Sequence, residues 1–315
     1  MKRYAVLGKL FWAAFALALV PVFGGLEAGK DKEVTVYEEE LVIPGVDEEF
    51  VLIFLADTHV SLCDVRDQDV MEKARSRYES FRDHRGQGAD ESFQELMDYV
   101  KEEEPDLLIL GGDIVDSALW ASIDFVSAAL KDTGVPVIYA MGNHDFEHGK
   151  EYFSEQAYQT YLPRLQDISE TCGGFQQKEY EDFVIFSVDD KCNQVSEEAL
   201  KAMEQLSLQK KPVILVTHVP IEPAADTCLL EETKRVWGLS SDGHSRVLLG
   251  QNSCVPNETT AKFLELVLAK DSPVVLVLAG HLHFGHRDML TEDIVQIVAG
   301  AGYQKCLVKI KIRPQ

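Results

Sequence analysis

The chain has 315 residues, 46% of them hydrophobic, and a formal net charge of -23 at pH 7. Such an apolar fraction supports a substantial core, in one large domain or two small ones, and excludes general disorder. So acidic a surface repels polyanions, which excludes broad contact with a nucleic-acid backbone but not a small phosphorylated substrate held at a locally positive site.

The chain opens MKRYAVLGKLFWAAFALALVPVFGGLEAGKDKE. Lys2, Arg3 and Lys9 precede the apolar run Phe11–Val20, and Pro21 and small residues follow it. This is the order of a secretory signal, with cleavage after Gly24 or Ala28. An uncleaved membrane anchor over Tyr4–Phe23 is the alternative, although Lys9 interrupts it. Residues 1–28 are therefore expected to be a signal peptide or N-terminal anchor, and 29–315 one exported domain. Gly24–Asp31 nearly spells a phosphate-binding loop, but it ends in Asp and has no buried strand leading into it.

Residues 33–43 alternate like a strand, and Val51–Ala56 form a continuous apolar strand ending on Asp57. Helices are expected over 69–84 and 89–104, broken at Gly86 and Gly88. PDLLILGGD is a buried strand, 116–132 a helix stopped by Gly134, and VPVIYAMGNHD a strand again. Helix 151–169, strand EDFVIFSVD, helix 196–209 and strand KPVILVTHVP follow, and then a long irregular stretch over 221–257. TTAKFLELVLAK is a helix, SPVVLVLAGHLH a buried strand, and IVQIVAGAG and KCLVKIKI close the chain as strands. Val/Ile/Leu runs alternating with helices predict α/β layers whose strands are buried on both faces.

Five of these strands end in polar groups: Asp57-Thr58-His59, Gly112-Asp113, Asn143-His144, His218 and His281-Leu282-His283. Ligands of open α/β sheets sit at the carboxyl ends of strands. Aspartate, histidine and an asparagine carbonyl are ligands for Mn, Fe or Zn. In an extended backbone, the spacing of DTH and HLH sends both polar side chains to one side, with Thr58 and Leu282 facing away. Gly111-Gly112 and Gly280 allow the backbone close to a crowded centre.

ADTH, GGD, GNHD, TH and GHLH, in that order, resemble the calcineurin-like metallophosphoesterases over about Val51 to Gly302. The resemblance implies a two-layer β-sandwich flanked by helices, with a centre of two divalent or mixed-valence transition metals at its edge. By motif position, Asp57, His59, Asp113 and His283 would hold one metal. Asp113, Asn143, His218 and His281 would hold the other, with Asp113 bridging, and His144 matches the family's catalytic histidine. Two divalent cations, offset by Asp57, Asp113 and a bridging hydroxide, would leave about one positive charge for a phosphate. The expected chemistry is in-line attack of that hydroxide on phosphorus, with His144 protonating the leaving alkoxide. Asp145 either orients this neighbourhood or merely caps a turn.

Other residues carry weaker signals. His84, His148, His244 and His286 lie away from the strand ends. Arg66, Arg77 and Arg287 could grip phosphate, with solvated surface arginines as the alternative. The stretch 221–257 must hang over the site, and it places Trp237 where a small substrate could stack. Asn257-Glu258-Thr259 is a glycosylation sequon in a suitable host. Cys172 and Cys192 flank a strand pair, and Cys228 and Cys254 a long loop, so disulfides and buried thiols both stay open. The reading is thus a metal-dependent phosphoesterase of small mono- or diesters, with membrane contact only through an uncleaved N-terminal segment. A non-catalytic metal-binding or sensor protein on the same scaffold is the alternative. HExxH and GxSxG are absent, which disfavours a metallopeptidase or serine hydrolase.

Overall fold

The computed structural model describes residues 34–148, 154–169, 173–223, 228–238, 246–248 and 254–314. The expected signal segment, Cys172 and His244 lie outside these residues. Val34–Gln315 form one compact unit. Among the described residues, no helix is long and apolar enough to cross a membrane.

Two sheets make the framework. The first runs β1 (Thr35–Val42), β11 (Cys306–Arg313), β2 (Phe50–Leu55), β3 (Leu107–Leu110), β4 (Val137–Tyr139) in spatial order. The second runs β5 (Phe175–Glu179), β6 (Val184–Val188), β7 (Val213–Val216), β8 (Val274–Ala279), β10 (Val295–Val298), β9 (His286–Met289). Strands β2, β3 and β4 pair in parallel, as do β6, β7 and β8.

Both faces of each sheet are covered, because the central strands are apolar at every position and successive side chains alternate between faces. Leu52, Phe54, Ile109 and Ile310 of the first sheet meet Ile185, Ile214, Val216, Leu278 and Ile297 of the second in the core between them. On the outer side of the first sheet, Ile53, Leu55, Leu108 and Leu110 pack with residues of α2 (Ala89–Glu103), α3 (Trp120–Thr133) and α4 (Glu155–Leu165). Outside the second sheet, Phe186, Val213 and Leu215 pack with α5 (Glu197–Gln209) and α7 (Glu258–Val267). The architecture is the expected two-layer sandwich flanked by helices.

Several boundaries differ from the sequence reading. Helix α1 covers only Met71–Ser80 and follows a 3-10 turn over Val65–Val70. Helix α3 starts at Trp120 rather than 116, because Val115 bridges to Val60 and holds the chain extended past Asp113. The stretch expected to be irregular contains a helix, α6 (Cys228–Trp237), whose Leu229 and Thr233 are buried. The sequon asparagine, Asn257, caps α7 by accepting from Thr260 N at 2.8 Å.

Candidate metal centre

Strands β2, β3 and β4 of one sheet and β7 and β8 of the other deliver their polar ends to one place. The loops after β2 and β3 run side by side, with Asp57 N donating to Gly112 O and His59 N to Asp113 O, each at 2.9 Å. Gly280 N donates to His218 O at 2.9 Å, joining the loops after β7 and β8. His281 N donates to the Asp57 carboxylate at 2.9 Å, which ties the two sheets together.

The DTH and HLH segments are not extended. Asp57 (φ 56°), His59 (49°), Asp113 (53°), His281 (70°) and His283 (60°) all occupy the left-handed region. That conformation costs roughly 1–2 kcal/mol per residue for a side chain with a Cβ. Alternating left-handed residues still send Asp57 and His59 inward, while Thr58 donates to Ile114 O at 2.6 Å. Strain gathered in this way is characteristic of functional sites. A Cβ on Gly112 (φ 89°) would lie 2.5 Å from His218 Nδ1, and one on Gly280 2.8 Å from Asp57 Oδ2, so both glycines permit the close approach.

The side chains converge as three overlapping groups, the third being His59, Asp116 and His144, with Asp113 and His59 each in two of them. Ligand atoms of Asp57, His59, Asp113 and His283 lie within 4.8 Å of one another, as do those of Asp113, His218 and His281. His218 Nε2 is 3.2 Å from Asp113 Oδ2, and His59 Nε2 is 3.0 Å from His283 Nε2. Gly111 O accepts from His218 Nδ1 at 2.8 Å, which leaves the Nε2 lone pair for a ligand. Asn143 belongs here through its neighbours: His144 N donates to Asp113 Oδ1 at 2.7 Å, and Asn143 Oδ1 is buried with no hydrogen-bond partner.

Electrostatics fit a cationic occupant. Asp57 and Asp113 are nearly inaccessible, both are held below the usual carboxylate range, and buried carboxylates that stay charged need compensating charge. Burial raises the pKa of Asp113, but the fields of His218 and His144 outweigh it and hold the carboxyl well below its usual range. Burial, then the charge of His218, pushes His281 down to about 3 and leaves it a neutral imidazole. The oxygen and nitrogen donors, the shared Asp113 and the unpartnered Asn143 oxygen together fit two transition-metal ions.

His144 stands beside this set. Its Nδ1 is 3.4 Å from Asp116 Oδ1 and 3.5 Å from Glu147 Oε2. Burial opposes its charge, but Asp113, Glu147 and Asp116 outweigh that and raise its pKa to about 9. Cations bound among these carboxylates would lower it again. Asp145 does more than cap a turn. It accepts from four backbone amides: Gly142 (2.7 Å), Asp113 (2.8 Å), Ile114 (2.8 Å) and Val115 (3.0 Å). It thereby clamps the β4 loop to the β3 loop. Burial and Asp113 push its carboxyl up to about 7, while the amides and the Tyr139 hydroxyl pull the other way.

The sequence reading missed Asp116. Its Oδ1 is 3.1 Å from His59 Nδ1, and Arg77 grips both of its oxygens at 2.7 Å. The expected helix over 116–132 would have made it a solvated first-turn acid. Its position three residues past Asp113 in GGDIVD was the available signal. Arg77, expected at best to grip phosphate, is thus committed to Asp116. Arg66 pairs with Asp64 and Asp124 at the surface, and Arg287 pairs with Glu39 on β1. Trp237 does reach the centre: its ring centroid lies 5.6 Å from that of His283.

A two-sheet α/β sandwich with Asp and His groups at its strand ends defines a metallophosphoesterase-type architecture. The family described as calcineurin-like phosphoesterase matches residues 50–285, and this chain belongs to it. No curated protein matches the sequence significantly. Among solved structures, the chain is similar to a dimetal phosphatase from Danio rerio, with a TM-score of 0.53 and 14% identity over 82% of this chain and 91% of that one. It is also similar to purple acid phosphatase PPD1 of yellow lupin, Lupinus luteus (TM-score 0.46, 12% identity, 83% of this chain and 45% of that one). A third match is the calcineurin-like phosphoesterase YfkN of Bacillus subtilis (0.42, 11%, 81% and 82%).

Proposed function

We propose that the chain is a metal-dependent hydrolase of small phosphomono- or diesters. One observation carries the reading: Asp113, a carboxylate with two oxygens, is a candidate ligand both with Asp57, His59 and His283 and with His218 and His281, the position a bridge between two cations requires. In this reading Asp57, His59, Asp113 and His283 hold one ion, and Asp113, Asn143, His218 and His281 the other. Two bound ions would supply Lewis-acid charge to the phosphoryl oxygens and an acidified water as nucleophile.

The chain's own residues do the rest. Asp116 and the Gly111 carbonyl orient His59 and His218 through their Nδ1 atoms, so both Nε2 atoms face the centre. His144, 24% exposed and next to Asn143, holds a proton that it delivers to the departing alkoxide oxygen. The net charge of -23 turns away extended nucleic acids, so the partner is a small ester. The proposed place of action is outside the cytoplasm, reached through residues 1–28, with membrane contact confined to that segment if it is retained.

The test joins metal analysis to mutagenesis. Purified protein should carry close to two of Mn, Fe or Zn per chain, and chelation should abolish activity. His144→Ala should keep the metals and lose roughly 10²–10⁴-fold in turnover, with a smaller loss on nitrophenyl esters. Asp113→Ala should lose metal as well. A single metal after reconstitution, or metal loss in His144→Ala, refutes these assignments. Stoichiometric metal with no turnover of any ester would favour the sensor alternative.

A further inference from the structure

The mouth of the centre is built of rings from separate segments. Around His283 stand Phe81 just past α1, Trp237 at the end of α6 and Tyr303 after β10, with ring centroids 6.1, 5.6 and 5.6 Å from that of His283. Phe81 is committed to the interior, since it is 7% exposed and lies flat on His59 at 3.9 Å. Trp237 differs. Its Nε1–H donates to Leu282 O at 3.1 Å, inside the HLH segment, and the Arg246 guanidinium carbon sits 4.3 Å from its ring centroid. Although held at these points, it remains 39% exposed.

A large ring that is fixed in place, partly uncovered and directly beside a candidate metal ligand is costly in plain folding terms. Its apolar area stays wet, and its polar tip is already satisfied by the Leu282 carbonyl. A rigid aromatic surface of this kind binds a planar group without losing further side-chain freedom.

We infer that Trp237 is a specificity-determining stacking surface that takes a planar aromatic or heteroaromatic group attached to the scissile phosphate. The inference rests on the phosphoesterase reading of the same centre. It makes aryl phosphates and nucleoside phosphates better substrates than alkyl phosphates. Arg246 braces the ring from above by cation–π attraction. A purely structural role, in which Trp237 only bolts α6 to the HLH segment, is the competing account, and it predicts equal losses on all esters.

The test uses full-length, metal-loaded protein with Trp237→Ala and Trp237→Phe. For each ester, kcat/KM is expressed relative to the parent protein, which cancels intrinsic leaving-group reactivity. Trp237→Ala should lose roughly 5- to 100-fold on 4-nitrophenyl phosphate and adenosine 5′-monophosphate, the worth of one base–aromatic contact, and under about twofold on glycerol phosphate. Trp237→Phe removes the Leu282 hydrogen bond but keeps a ring, and should retain most of the aromatic preference. Loss on the nucleotide alone would point to a nucleoside, and loss on both to any aromatic group. As a second readout, the phosphonate analogue of adenosine monophosphate, whose P–C bond is not hydrolysed, should quench tryptophan fluorescence in the parent but not in Trp237→Phe. Equal losses on all esters, or none, overturn the inference while leaving the phosphoesterase reading intact. Quenching without turnover of any ester would sink that reading and leave the stacking surface standing.

Discussion

Asp145 lies between sequence and chemistry, and its removal has a size that the structure sets. Oδ1 accepts from Ile114 and Val115, and Oδ2 from Asp113 and Gly142. A buried donor left without a partner costs about 1–3 kcal/mol. Asp145→Asn satisfies only two of the four amides in either amide orientation, and its NH₂ opposes the other two. With two amides left unsatisfied the expected loss is about 2–6 kcal/mol, a large share of the ~5–15 kcal/mol of a typical domain. Those amides also fix Asp113 and the turn carrying Asn143, so metal content should fall with stability. Urea unfolding followed by circular dichroism, with metal analysis of the folded protein, measures both. If Asp145→Asn unfolds within about 1 kcal/mol of the parent and keeps its metals, the clamp is not what holds the two loops together.

Three further outcomes are expected. Lys305 is 4% exposed and pairs with Asp83 (3.3 Å) and Glu95 (3.0 Å), so Lys305→Met should destabilise by about 3–5 kcal/mol, read by thermal or urea unfolding. Burial raises both of these carboxyls, but hydrogen bonds and Lys305 outweigh it and lower their pKa values. Their contribution is therefore full above the unfolded value near 4 and is lost as pH falls through the lower folded values. The parent should lose stability on that acid limb and Lys305→Met should lose less; parallel curves would argue against the pairing. Residues 1–28 fused to a reporter should carry it across a membrane, with a mature N-terminus between Gly25 and Lys32; recovery of the full-length chain from membranes would favour the anchor.

Strand identity and strand ends were legible in the sequence, because buried parallel strands need unbroken apolar runs and Asp57, Asp113, Asn143, His218 and His281 each come within four residues of the end of one. The family pattern rests on the same local fact, which is why the fold could be stated before any contact was seen. Tertiary structure decided what depends on partners far along the chain. Asp116 becomes His59's companion because the Val60–Val115 bridge holds the chain out of the helix that local propensity favours. The DTH and HLH segments turn left-handed because hydrogen bonds from neighbouring loops outweigh an intrinsic cost that an extended reading ignores. Arg66 and Arg287 follow metal motifs in sequence, yet Asp64, Asp124 and Glu39 claim their charges. Trp237 faces His283 only because α6 forms, and α6 is amphipathic over a single short stretch whose buried side exists once the HLH segment is folded beneath it.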